Sequence, residues 1–370
     1  MDTNKKLTHI LHTEWSLGWG GQEIRILAES RAFIKKGYNV TIAANPQSQL
    51  FKWANKVGVN TVPISMHKGI DINALKSLIR IIKTHNVDIV HTHSSVDARY
   101  GGLAARFTGR SVVRSRHLST LIKRSPLSWI LYMKLADRVI TSAESIRQEM
   151  ISRNKMNPEK IISIPAGIDE EKFNLNRDIP EIRSNLGFSD KDFVIGIVAV
   201  IRTWKGHKYL IDAIKILKNR IPNIKLLIVG DGPIRQEVEE KIKHDKLVNH
   251  VVLTGHQADP TPYIKTMDIV ILSSYSNEAT SQALPQAMAM KRPAIATNIG
   301  GIPEVVIHEK TGLLVAPHDS EAIATAIQRL YDNPDLKNKL AESGHKHILK
   351  YFTFNGMIKK TEAVYKTVTR

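Results

Sequence analysis

The sequence predicts an α/β protein made of two doubly wound parallel-sheet domains. Three observations carry this expectation. Strand-like apolar runs alternate with helix-like segments, and the alternation restarts near Phe193 after a charged interval. The 370 residues are also more than one ordinary core holds and suit two.

Residues 7–11 read as the first strand, with Gly18-Trp19-Gly20-Gly21 as a glycine turn behind it. Residues 22–36 have helical periodicity, with Ile24, Leu27, Ala28 and Ile34 near one side and Gly37 as the stop. Residues 38–43 form the next strand, 73–85 a helix and 87–91 a strand, and Val112-Val113 and Val139-Ile140 fit further strands. The second half opens on the apolar run 193–200. A helix at 208–219 follows, then a strand at 224–229 closed by Gly230-Asp231-Gly232-Pro233. Strands at 251–253, 269–272, 294–296 and 312–315 come next, and helices at 320–331, 334–347 and 356–369 close the chain. Residues 169–190 are charged, contain Pro180 and lack a clean period, so they read as a linker. The expected domains are 1–175 and 190–350, with 351–370 a terminal helix packing back on the first. Sheets of this kind bind ligands beyond the carboxyl ends of their strands, and two such domains would leave a cleft.

Composition narrows the function classes. There is no cysteine, which excludes disulfides, thiolate metal sites and a cysteine nucleophile and fits a reducing cytoplasm. No apolar run approaches the roughly 20 residues of a membrane span. Residues 1–6 lead into no apolar leader region, so a secretory signal is not expected. The formal net charge is +18, from 53 Lys and Arg against 35 Asp and Glu. That balance favours polyanions, anionic membranes or phosphorylated substrates. Residues 98–136 contain no acid, yet carry Arg99, Arg106, Arg110, Arg114, Arg116, Lys123, Arg124 and Lys134. Phe107, Leu121, Ile122, Trp129, Ile130, Leu131 and Tyr132 are interleaved with them. Such a segment suits an anionic membrane surface. It equally suits a solvated helix whose apolar face packs on its own domain.

Several residues have the chemistry and placement of a phosphate and sugar site. Gly20 and Gly21 lie between the first strand and first helix, where backbone N–H groups can approach a phosphate; a plain tight turn is the ordinary alternative. The spacing does not fit G-x-G-x-x-G, which counts against an oxidoreductase. Arg202 and Lys205, with Gly206, follow the first strand of the second half and suit a diphosphate; an ordinary basic loop in a basic protein is the alternative. Glu278 stands between a strand and the helix at 283–290. A carboxylate there can bind sugar hydroxyls or balance cationic charge, or simply cap the helix. Gln286, eight residues on, falls on nearly the same helical face and can bind a ribose. His117 ends the basic stretch Arg114-Ser115-Arg116 after a strand of the first half, where it is either a structural histidine or one facing the expected cleft. His91-Thr92-His93 has a chelating spacing, but no carboxylate–histidine pattern accompanies it, and no metal is expected. A Ser-His-Asp hydrolase would need a G-x-S-x-G elbow, which is absent from the sequence.

Together these residues resemble the retaining glycosyltransferases of the GT-B fold, with two Rossmann-like domains, in the large group numbered family 4. The resemblance spans nearly the whole chain. It rests on Gly20-Gly21-Gln22-Glu23, the Arg114-to-His117 loop, Ile164-Pro165-Ala166-Gly167-Ile168-Asp169 and Arg202 with Lys205-Gly206. It continues through Val229-Gly230-Asp231-Gly232-Pro233, residues 278–290, Gly300-Gly301-Ile302-Pro303-Glu304 and Thr311-Gly312-Leu313-Leu314-Val315.

The resemblance implies roles. Arg202 and Lys205 match the donor diphosphate clamp, Gly20 and Gly21 the loop that approaches donor and acceptor, and His117 a histidine near the donor sugar. Glu278 matches the first glutamate of an E-x7-E motif, while Thr280, Ser281 and Gln282 offer bonds to phosphate and sugar. Gln286 replaces the second glutamate, and Ala279-Thr280 a glycine–aromatic pair, which bears on donor sugar choice. The implied activity is transfer of a hexosyl or related sugar from a UDP- or GDP-linked donor, with retention and without cofactor or metal. The implied acceptor is a glycan or lipid-linked glycan in bacterial surface polysaccharide or lipopolysaccharide assembly. A cytoplasmic location is expected, with the basic stretch suiting peripheral attachment to the inner membrane face; the sequence has no DNA- or RNA-binding motif, so no nucleic-acid partner is expected. The alternatives are a nucleotide-sugar epimerase of the same fold and a non-enzymatic polyanion-binding protein.

Overall fold

A computed structural model of the chain describes residues 7–117 and 119–369. Residues 1–6, read above for a leader, lie outside the described residues. The chain divides into two compact units, one formed by Met1–Ala166 with Asn355–Arg370 and one by Gly167–Phe354.

In the first unit the strands are β1 (His9–Glu14), β2 (Asn39–Ala44), β3 (Asn60–Pro63), β4 (Ile89–Thr92), β5 (Ser111–Arg116), β6 (Arg138–Thr141) and β7 (Ile161–Ser163). They form one sheet in the order β3-β2-β1-β4-β5-β6-β7, every neighbouring pair parallel. The central strands β1, β2 and β4 are buried almost throughout, as strands covered on both faces must be. The winding reverses between β1 and β4. The closing helix Phe354–Val368 belongs to this unit: Tyr365 is fully buried, with its ring 5.0 Å from that of Phe33.

The second unit contains β8 (Phe193–Val198), β9 (Ile224–Val229), β10 (Val251–Leu253), β11 (Ile269–Leu272), β12 (Ala294–Thr297) and β13 (Leu313–Val315). The order is β10-β9-β8-β11-β12-β13, again all parallel. Alternation along each strand feeds two cores. Leu226 and Ile228 enter one with Ile195, Ile214 and Ile271. Leu227 and Val229 enter the other with Val194, Val270 and Met288. The winding here reverses between β8 and β11.

Two expectations need revision. The interval 169–190 is not a free linker: Phe173, Ile179 and Phe188 are buried in the second core of the second unit. Its apolar residues are too widely spaced to show a period. The first helix, Gly21–Lys35, also buries a different face. Ile24 and Ile34 are exposed, while Arg25, Ile26, Glu29, Ser30 and Phe33 are buried. The buried face is half polar because Arg25 pairs with Glu29 at 2.7 Å and donates to the Ile164 carbonyl at 3.0 Å.

In the acid-free stretch, Pro126–Trp129 is a short α-helix that continues as a π-helical turn, Ile130–Lys134. Leu131, Tyr132 and Met133 are buried, whereas Leu121, Leu127, Trp129 and Ile130 are exposed. No helix among the described residues is long and apolar enough to cross a membrane.

Candidate active site

In the second unit, Lys205 and Glu278 meet beyond the carboxyl ends of β8 and β11, with Arg202 and Gly206 on the same loop as Lys205. Those strands are neighbours at the point where the winding reverses, the usual ligand position in doubly wound sheets. After β8, Arg202 leads into the 3-10 turn Thr203–Lys205, and Gly206 follows at φ +70°. A Cβ at Gly206 would lie 2.0 Å from the Ser273 carbonyl oxygen, so both conformation and close approach demand glycine. The Tyr275 N–H donates to the Trp204 carbonyl at 2.9 Å. Ser273 Oγ donates to the Lys205 carbonyl at 3.0 Å. These bonds hold the loop after β11 against the loop after β8.

Lys205 Nζ consequently lies 2.5 Å from Glu278 Oε1. Ser274 Oγ donates to that same oxygen at 2.6 Å. Glu278 is buried, and two donors on one oxygen compensate its carboxylate. Both bonds fall on Oε1. Arg202 is exposed, its guanidinium 5.2 Å from the centroid of the Trp204 ring. Thr280 is buried, Ser281 adopts φ +52°, and Gln282 immediately precedes the helix Ala283–Ala289 without a side-chain capping bond. Glu278 therefore lies outside that helix, on a segment bent by positive φ at Asn277 and Ser281. Glu278 and Gln286 thus do not share a helical face; Gln286 sits on the helix and is half-buried.

In the first unit, Gly20 and Gly21 open the helix Gly21–Lys35. Gly20 has an extended backbone, φ −160°, and its N–H donates to Glu23 Oε2 at 2.9 Å. A Cβ at Gly21 would meet nothing within 4 Å. Neither residue has positive φ, so no left-handed backbone demands glycine at either position. The start of this loop is pinned by Glu14, whose Oε1 accepts from the N–H groups of Trp15 and Ser16, each at 2.9 Å. Burial, with Asp97 and Glu23 nearby, pushes the Glu14 carboxyl up to about 8.

His117 follows β5 and keeps part of its surface while being closely surrounded. Burial, then Arg25 and Arg116, holds it well below the usual histidine range. Its Nε2 lies 3.1 Å from His93 Nδ1. His93 is one of three buried histidines, with His12 and His91, that bring one nitrogen each within 4.8 Å of one another. Both His91 nitrogens are occupied, Nδ1 by the Tyr365 hydroxyl at 2.6 Å and Nε2 by Ser115 Oγ at 2.8 Å. A cation there would break these bonds, with no carboxylate ligand and Arg25 close by. Sequence reasoning missed His12, Ser274 and Trp204. His12 lies in register with His91 across β1 and β4, a pairing that only the sheet order reveals.

The comparisons agree with this architecture. "Glycosyltransferase Family 4" matches residues 19–172 and "Glycosyl transferases group 1" residues 178–347. A Bacillus subtilis protein described as a glycosyltransferase, EpsD, is 30% identical over 336 residues, covering 86% of this chain and 87% of its own length. The Escherichia coli UDP-Gal:alpha-D-GlcNAc-diphosphoundecaprenol alpha-1,3-galactosyltransferase is 29% identical over 308 residues, covering 80% and 79%. A crystal structure of a Rickettsia africae glycosyltransferase superposes with a TM-score of 0.91 at 26% identity, covering 98% of this chain and 99% of that one. The chain belongs to the family 4, group 1 glycosyltransferases, enzymes of the GT-B fold with two Rossmann-like units.

Proposed function

We propose that the chain transfers a sugar, with retained anomeric configuration, from a nucleoside diphosphate sugar to a lipid-linked glycan at the inner membrane surface. The observation that carries this reading is the Lys205–Glu278 pair at 2.5 Å, beside Arg202 at the switch point of the second sheet. One place thus offers two cations for a diphosphate and a carboxylate oxygen for a sugar hydroxyl. Thr280, Ser281 and Gln282 line the same segment, and Gln286 serves the ribose. Gly20, Gly21 and His117 serve the sugar and the acceptor.

In the reaction the bond between the anomeric carbon and the diphosphate oxygen breaks. The acceptor oxygen bonds to that carbon on the same face, and its proton passes to the leaving phosphate. Arg202 and Lys205 stabilise the charge growing on that phosphate, so no metal or other cofactor is required. The E. coli relative, named for a UDP-sugar donor and a diphosphoundecaprenol-linked acceptor, supports this substrate class.

The membrane reading rests on a hollow of about 420 Å³ in the first unit, lined in part by Lys123, Arg124, Trp129, Arg153 and Lys155. Exposed Leu121, Leu127 and Ile130 lie in the same stretch, the combination that anionic interfaces attract. Bacterial surface-polysaccharide or lipopolysaccharide assembly is the setting this implies. A thermal-shift screen of UDP, GDP and their sugars, with and without chelator, tests the donor reading. One base series is expected to raise the unfolding midpoint in either condition; no rise with any member would contradict it.

A further inference from the structure

The first unit holds a row of imidazoles of which the reaction above uses only His117. Its members come from three neighbouring strands. His12 lies on β1, His93 follows β4 and His117 follows β5. His12 Nδ1 is 2.8 Å from His93 Nε2, and His93 Nδ1 is 3.1 Å from His117 Nε2. The rings stack in sequence, with centroids 5.1 Å and 5.4 Å apart and interplanar angles of 21° and 23°.

We propose that His12, His93 and His117 form one hydrogen-bonded tautomer chain that holds His117 as an Nδ1–H donor towards the substrate. His12 and His93 act as positioning residues. This rests on the assignment of His117 to the substrate's sugar end.

A neutral imidazole has one N–H and one bare nitrogen. Burial holds all three rings neutral, His12 at about 3 and the others well below the usual range. Two consecutive imidazole–imidazole bonds then permit only two states. Either every Nδ1 carries the proton or every Nε2 does. Changing a single ring sets donor against donor or acceptor against acceptor.

The far end selects between the states. His12 Nε2 is fully buried and has no partner among the described residues. Protonated, it is an orphaned buried N–H, the rarer and costlier defect; bare, it is only an unused lone pair. The all-Nδ1 state wins, and it turns the Nδ1–H of His117 away from the chain. The same sealed end rules out a relay. No proton can enter or leave at His12, so the chain fixes a tautomer without conducting a net proton, and His117 orients and donates rather than acting as a base.

The test is ¹⁵N-histidine NMR on the full chain, paired with nucleoside diphosphate release from the donor that the screen selects. In the wild type, His117 is expected to be protonated on Nδ1 and bare on Nε2. His12→Leu is expected to mix the tautomers and lower kcat about tenfold, the worth of one oriented hydrogen bond. His12→Asn, whose amide nitrogen overlies Nδ1 and donates, is expected to restore both. Wild-type His117 protonated on Nε2, or a tautomer unmoved by His12→Leu, overturns the proposal. If His12→Leu fails to fold, the wild-type tautomer and His12→Asn still decide. One equivalent of Zn(II) that shifts His12, His91 and His93 together would make the cluster a metal site and overturn the chain. If the tautomer behaves as expected but His117→Ala keeps full turnover, the chain is upheld and the assignment of His117 to the substrate is lost.

Discussion

Glycines divide by what the backbone asks of them, and that division is testable one residue at a time. Gly206 has φ +70° and no room for a Cβ against Ser273, so Gly206→Ala should cost about 2 kcal/mol or more in urea unfolding and abolish turnover by displacing Lys205. Gly21 has neither constraint, so Gly21→Ala should leave stability within about 0.5 kcal/mol while turnover falls. Equal stability losses in both, or full turnover in Gly21→Ala, would contradict the split. Arg202, Lys205 and Glu278 were legible because each follows a strand in an α/β pattern. Ser274 was not, since one serine in a serine-rich loop carries no mark of the carboxylate it will meet. The placement of Glu278 relative to Gln286 was not legible, because the helix begins only at Ala283 and Glu278 precedes it.

At the scale of elements, the acid-free stretch carries the membrane prediction. Its apolar residues divide, Leu131, Tyr132 and Met133 inward and Leu127, Trp129 and Ile130 outward, so packing accounts for the first group and the membrane proposal rests on the second. Reversing Lys123, Arg124 and Lys155 to Glu should cut binding to anionic vesicles at least about tenfold, since each basic residue near such a surface contributes about 1 kcal/mol. Binding that is unchanged, or equal on neutral vesicles, would refute the membrane reading. Strongly apolar strands such as β9 and β11 were legible at full length. The helix Ser95–Phe107 was not, because Gly101-Gly102 reads as a breaker. In the fold those glycines allow close packing: a Cβ would lie 3.0 Å from Thr92 Cγ2 or 3.1 Å from Leu135 Cβ.

The whole molecule carries a pH signature. Burial depresses His12 to about 3 and His207 to about 4, and lowers His91, His93 and His117. These groups stay neutral when folded but take up protons when unfolded below about pH 6.5, so acidification favours unfolding. His12 alone loses about 2 kcal/mol of stabilisation between pH 7 and pH 5. Glu14 and Asp97 are raised and act oppositely, their contribution being full below the unfolded carboxylate range and lost as pH rises through the folded value. The histidines outnumber them, so the urea midpoint should be lower at pH 5 than at pH 7; an equal or higher midpoint would contradict the neutral histidine core. The two-sheet plan was legible because its alternation restarts. The boundary at Ala166 and Gly167 was not, because the interval that looks like a linker is sparse in apolar residues yet buries each of Phe173, Ile179 and Phe188. The central claim is that Arg202 and Lys205 drive departure of a nucleoside diphosphate. Its most direct test is the rate of nucleoside diphosphate release by wild type and by Arg202→Ala with Lys205→Ala, at saturating donor. The account predicts a fall of about a hundredfold or more with the fold intact; a rate near wild type would contradict it.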